Sequence, residues 1–159
     1  MATVMLEKEI PYAGRRDVWL SVVDIASYPE FMPQVLAIDV LQQDSLEEAI
    51  VRRSAWTVLF NGSELKWVQQ DRIYEDREEI QYEQIEGDLA VWRGRTRLLE
   101  GSVGPIVRYE IEFDLGVPAL AAMLDPLAER AVRANCEQML AALVERTRAV
   151  GSGLCVSTI

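Results

Sequence analysis

Residues Ala128, Val132, Asn135, Cys136, Met139 and Leu143 recur at spacings of three and four, forming one stripe that is apolar except at Asn135. Glu129, Arg133, Glu137, Glu145 and Arg148 fall mostly on the opposite side, the first three at the i, i+4 spacing of ion pairs. The pattern predicts an amphipathic helix ending near Arg148. Asp125 is its expected N-cap and Pro126 its first position, where a missing N–H costs nothing. Val117 to Leu124 reads as a separate short turn or a kinked lead-in. Such a helix spans roughly 35 Å at 1.5 Å per residue, and a partner surface that long is a sheet.

The earlier chain supplies strands. Thr3 to Pro11 reads as the first. Gly14 then opens a helix with Val18, Trp19, Val22, Val23 and Ile25 on its apolar side, and Ser27 to Pro33 follows as a second short helix or turn. Val35 to Leu41 and Glu47 to Phe60 are the next strands, separated by the polar Gln42 to Ser45. Asn61-Gly62 between alternating runs is a hairpin signature, because a type I′ turn needs positive φ at both central residues. Counting outward pairs Phe60 with Ser63, Val58 with Leu65, Trp56 with Trp67, Ser54 with Gln69 and Arg52 with Asp71 on the inner face. Thr57, Lys66, Arg53, Gln70, Glu64 and Arg72 then face water. A turn at Glu75 to Glu78 brings Ile80, Tyr82 and Gln84 to the inner face, with Tyr82 opposite Asp71. After Gly87-Asp88 a strict count would turn Arg93 inward. A bulge at Gly87 would instead turn Trp92, Gly94, Thr96 and Leu98 inward, leaving Arg93, Arg95 and Arg97 outside to pair with Glu110 and Glu112.

Composition narrows the class. With 159 residues, half of them hydrophobic, the chain fits one domain, expected over residues 1–148 with a flexible tail at 149–159. The formal charge of -10 argues against nucleic acid or anionic membranes as partners. There is no histidine, which excludes Ser-His-Asp triads, His-based acid–base catalysis and His-ligated metals. Of the two cysteines, Cys136 lies on the apolar helix face and Cys155 in the Gly/Ser-rich tail, too few for a zinc site or disulfide framework. No signal-peptide pattern opens the sequence, and no apolar run approaches the roughly 18 residues of a membrane span. The expectation is a cytoplasmic protein without metal, cofactor or integral membrane association.

The inner-face count assembles a candidate site. Arg52, Ser54, Gln69, Asp71, Tyr82 and Asn135 would form a polar cluster in an otherwise apolar cavity, the usual composition of a small-molecule site. In the functional reading Arg52 is the electrophile, Asp71 the base and Tyr82 the proton donor acting on a poly-ketone. In the plainer reading Arg52 and Asp71 are a structural ion pair across the hairpin. Trp56, Trp67, Trp92 and Phe113 serve as core, as ligand-stacking walls, or as both. Gln84, Tyr109 and Met139 complete the expected substrate-binding set. The Arg93/Arg95/Arg97 stripe is either a solvated face paired with Glu110 and Glu112 or a docking surface for an acidic carrier domain.

Two stretches carry a resemblance: Val18-Trp19 with Asp24-Ile25 and Tyr28-Pro29-Glu30-Phe31, and Arg133-Ala134-Asn135 with Glu137. With the element order they resemble the START-like helix-grip (SRPBCC) superfamily, in its bacterial polyketide aromatase/cyclase branch, over most of residues 1–148. The coenzyme Q-binding lipid chaperones are similar around Asp24 to Pro33 and Gly87 to Leu98. The resemblance implies an α+β helix-grip fold: a curved antiparallel sheet of about seven strands wrapped around a long C-terminal helix, with two short helices after the first strand. It implies a polyketide cyclase, with a hydrophobic small molecule and an acyl carrier protein as partners, or alternatively a non-catalytic carrier of a lipid, quinone or other hydrophobic metabolite. Two positions depart from the cyclases: a pocket tyrosine becomes Val35, and a pocket arginine is matched only by Arg72, on the outward face.

Overall fold

The computed structural model describes residues 2–60, 62–114, 116 and 121–156, with the side chains of the last helix described between 129 and 147. Strand β1 (Ala2–Glu9) is followed by α1 (Arg15–Val23), a 3-10 turn at Ile25–Ser27 and α2 (Tyr28–Phe31). Six strands follow: β2 (Val35–Ser45), β3 (Ile50–Phe60), β4 (Ser63–Tyr74), β5 (Glu79–Gly87), β6 (Val91–Glu100) and β7 (Pro105–Asp114). Helix α3 (Ala121–Val156) ends the chain's described part. The strands form one antiparallel, curved sheet in the order β1-β7-β6-β5-β4-β3-β2, and α3 lies on its inner face. Among the described side chains of α3, Val132, Cys136, Leu140, Leu143, Val144 and Thr147 are buried; Asn135 and Met139 of the stripe expected from its periodicity are half-buried, and Leu140, Val144 and Thr147 are added to it.

The β3–β4 register is the one counted from the sequence, including Trp56 opposite Trp67 and Arg52 opposite Asp71. Gly62 adopts φ 80°, the positive value that the turn requires, while Asn61 lies outside the described residues. Asp71 also faces Tyr82 on β5. The irregularity between β4 and β5 falls at Ile85, which has no partner, and Gly87 beyond it adopts φ 151° against the Cβ of Trp67. The bulge thus sits two residues before the expected position but has the expected result. Tyr82 faces Gly94, and Arg93 turns out to solvent. On that outer face Arg93 pairs with Glu112 (3.0 Å), and Arg95 (2.8 Å) and Arg97 (3.0 Å) with Glu110. Burial works to raise the Glu110 pKa, but the two guanidiniums together hold it below the usual carboxylate range.

Three boundaries differ from the sequence reading. Gln42 to Ser45 continue β2 rather than end it, because an edge strand leaves their polar side chains exposed at no desolvation cost; the turn is Leu46 to Ala49. Helix α3 begins at Ala121, so the start expected at Asp125-Pro126 lies inside it. A proline near a helix start removes one hydrogen bond, and the helix tolerates that once extended by good formers such as Ala121 and Ala122. Its other end continues through Gly151 to Val156, past the expected end at Arg148.

Helix α1 closes one end of the sheet. Trp19 Nε1 donates to Glu75 Oε2 (2.7 Å) in the β4–β5 turn, and Arg15 donates to Glu78 and to the Leu98 carbonyl (3.2 Å). Gly94 permits a close approach farther along: a Cβ there would lie 2.3 Å from the Glu110 carbonyl oxygen and 3.0 Å from Tyr82 Oη.

Candidate functional site

Between the sheet and α3 lies a cavity of about 110 Å³. Its walls are largely apolar, with Val58, Phe60 and Leu65 from the β3–β4 hairpin, Val22 and Ile25 from the α1 end, and Val132 from α3. Aromatic rings run across one wall. Trp56 and Trp67 stack at 5.8 Å with planes 11° apart, Tyr28 meets Trp56 edge-on at 6.1 Å, and Trp92 tilts against Trp67 at 5.6 Å. The two stacked rings come from the cross-strand pair set by the hairpin register.

The polar groups gather near α1. Arg52 donates through Nε (3.0 Å) and Nη2 (2.8 Å) to Asp71 Oδ2, and through Nη1 (2.8 Å) to the carbonyl of Val23, the last residue of α1. Asp71 Oδ1 accepts from Gln69 Nε2 (2.7 Å). Arg52 is 4% and Asp71 1% exposed, yet both reach the cavity wall. Burial raises the Asp71 pKa, while Arg52 and the Gln69 amide work to lower it; the outcome is a carboxylate more basic than usual. Tyr82, opposite Asp71, has its pKa raised by burial, as do Tyr28 and Tyr109, so all three phenols keep their protons. Tyr28 Oη donates to the Val22 carbonyl (2.5 Å). Asn135 Oδ1 is buried with no hydrogen-bond partner among the described residues, and Asn135 lines the cavity. An orphaned buried carbonyl is costly, and a ligand donor would relieve it.

The cavity wall brings together Arg52, Asp71, Tyr82, Trp56, Trp67, Gln69, Trp92, Tyr109, Asn135 and Met139 from the expected set. It leaves out three. Ser54 is buried behind the wall, its hydroxyl accepting from Trp56 Nε1 (2.9 Å). Gln84, just before the bulge, is spent on the Leu89 backbone, donating to its carbonyl at 2.7 Å. Phe113 packs behind Trp92 at 6.4 Å. Sequence reasoning missed Tyr28 and Thr96; Thr96 was legible as the polar member of the inward set Trp92, Gly94, Thr96 and Leu98. Arg72, the loose match to the cyclases' arginine, is exposed on the outer face.

The family described as polyketide cyclase/dehydrase and lipid transport matches residues 13–140. The chain belongs to this family. Among solved structures, TTHA0849 from Thermus thermophilus is similar at 21% identity and a TM-score of 0.85, with 94% of this chain and 99% of that chain covered. The Zhui aromatase/cyclase from Streptomyces sp. R1128 is similar at 15% identity and a TM-score of 0.73, with 93% and 95% covered. The 18 kDa protein CC1736 from Caulobacter crescentus follows at 18% identity and 0.77, with 96% and 99% covered. At these identities the likeness is one of fold. No curated protein matches the chain. This member of the polyketide cyclase/dehydrase and lipid transport family has the START-like helix-grip fold and a cavity suited to a hydrophobic small molecule. Among the described residues no helix is long and apolar enough to cross a membrane.

Proposed function

We propose that the protein binds a hydrophobic polyketide intermediate in this cavity and directs its cyclisation and dehydration. The observation that carries the reading is the buried Arg52–Asp71 pair on the wall of an otherwise apolar cavity, with Tyr82 directly across from Asp71. Asp71 takes a proton from a methylene between two carbonyls. The electron pair moves onto the adjacent carbonyl oxygen, where N–H groups of Arg52 receive the charge; of its five donors three have partners among the described residues. The enolate carbon then attacks a second carbonyl, the new C–C bond closes the ring, and Tyr82 gives its proton to the resulting alkoxide. Asp71 returns its proton to Tyr82, and loss of water from the ring leaves a double bond. The stacked Trp56 and Trp67 hold the flat, conjugated part of the chain. Substrate would arrive free or on an acyl carrier protein, although the Arg93/Arg95/Arg97 stripe is already spent on Glu110 and Glu112.

The second reading, a non-catalytic carrier, is favoured by one observation: Arg52 and Asp71 largely satisfy each other. A reactive poly-ketone incubated with the protein separates the two. A cyclase changes the product distribution, whereas a carrier slows spontaneous cyclisation and returns the compound unchanged. Tight binding with unaltered products would overturn the cyclase reading.

A further inference from the structure

A line of hydrogen bonds joins alternate inner-face residues of β4. Trp67 Nε1 donates to Gln69 Oε1 (2.8 Å), and Gln69 Nε2 donates to Asp71 Oδ1 (2.7 Å). An indole N–H can only donate, so the amide atom facing it is the oxygen and the amide nitrogen is left to face the carboxylate. The orientation of Gln69 follows from its two neighbours. A carboxylate has about four lone-pair directions, two on each oxygen. Arg52 takes both on Oδ2 through Nε and Nη2, and Gln69 takes one on Oδ1. The direction left over belongs to Oδ1.

We propose that Gln69 is a positioning residue, holding Asp71 so that Oδ1 is the oxygen that takes a proton from the substrate. The same amide ties that oxygen to the Trp67 ring, which stacks on Trp56, so ring wall and proton acceptor share one frame. The proposal rests on the cyclase reading for its chemistry but not for its geometry. Around Asp71 stand Arg52 from β3, Tyr82 from β5 and Tyr28 from α2, with Cys136 of α3 beside Tyr82. Only Arg52 of these carries charge at neutral pH, since burial keeps the two phenols and the thiol protonated. The Gln69 amide is therefore the one neutral donor that favours the charged form of Asp71.

The test is Gln69→Met, which fills the space without donating, and Gln69→Asn, which keeps an amide one methylene too short to bridge both partners. Ser54→Ala is the control, because it strips the partner from the other stacked tryptophan without touching Asp71. In ligand-free protein carrying carboxyl-labelled aspartate, NMR titration should show the Asp71 midpoint moving to higher pH in both Gln69 variants and staying put in Ser54→Ala. With poly-ketone substrate, kcat should fall about tenfold, with KM within about twofold and the acid limb of the kcat profile moved to higher pH. Wild-type kcat and an unmoved midpoint in whichever Gln69 variant folds would overturn the proposal. A moved midpoint in a protein that never alters poly-ketone products would instead overturn the cyclase reading and the proton transfer with it, leaving only the hold of Gln69 on Asp71 standing.

Discussion

Replacing Arg52 and Asp71 singly and together, as Arg52→Met and Asp71→Leu, measures what their burial does to the fold. Each single change leaves its partner charged and enclosed: Asp71 with only the Gln69 amide, or Arg52 with only the Val23 carbonyl. Breaking a buried pair in this way costs about 3–5 kcal/mol, which for a chain of this size lowers the melting temperature by roughly 6–20 °C. The double variant removes both charges and leaves two neutral groups short of a partner, Gln69 Nε2 and the Val23 oxygen, at about 1–3 kcal/mol each. Better packing offsets about 1–4 kcal/mol of that. At the middle of these ranges, about 4 against about 2.5 kcal/mol, the double variant should lie about 1.5 kcal/mol below the native protein, well above the sum of the single losses. Urea titrations read this directly, and pH sharpens it. Burial raises the Asp71 pKa above its ordinary value of 3.8, so the native state holds more protons than the unfolded chain between the two values. Stability from this group is fully present below the unfolded pKa and falls as pH rises through the folded one. The double variant lacks that loss, so its standing against the native protein should improve from acid to neutral pH. Single variants within about 1 kcal/mol of native at pH 7, or a double variant as weak as the two losses added, would refute the reasoning.

Other expectations follow from the same geometry. Gly94→Ala should cost about 1–3 kcal/mol in urea unfolding, because the new Cβ meets the Glu110 carbonyl at 2.3 Å; a neutral effect would mean that β6 and β7 shift to make room for it. The exposed Arg93–Glu112 pair should contribute under about 1 kcal/mol in a double-mutant cycle, in contrast to the inner pair. Cys136, buried with its thiol pushed up to about 12, should resist iodoacetamide in the native state and react after denaturation, as peptide mass spectrometry would show.

Much of the architecture was legible because β-hairpins fix register locally. One Asn-Gly turn with alternation on both sides determined which side chains of β3 and β4 face in, and a second turn carried the count to Tyr82. The count weakened at the bulge, where one unpaired residue reverses every later side chain; only the contrast between Trp92 and Arg93 showed which way the strand must face. Periodicity also tells direction and not depth. Ser54, Gln84 and Phe113 point inward as expected, but Ser54 and Phe113 lie behind the neighbouring rings and the Gln84 amide is spent on the Leu89 backbone. The start of α3 was misread because a cap signal at Asp125-Pro126 is local, whereas helix length is decided by what the helix packs on.

The contrast between the two faces bears on what Arg52 and Asp71 are for. On the outside, arginines meet glutamates where water screens them and their arrangement needs no special account. On the inside, among the described residues, one ion pair stands on a largely apolar wall, where two hydrophobic residues of similar size would hold the sheet about as well. Stability by itself thus gives no reason for the pair. A cavity that had only to hold an apolar ligand would gain nothing from it either, since each charge must be desolvated before it can serve. On the cyclase reading proposed above the arrangement has a use, because charge develops during reaction: Arg52 retains donors for a developing oxyanion, and Asp71 retains a lone pair on Oδ1 for a proton.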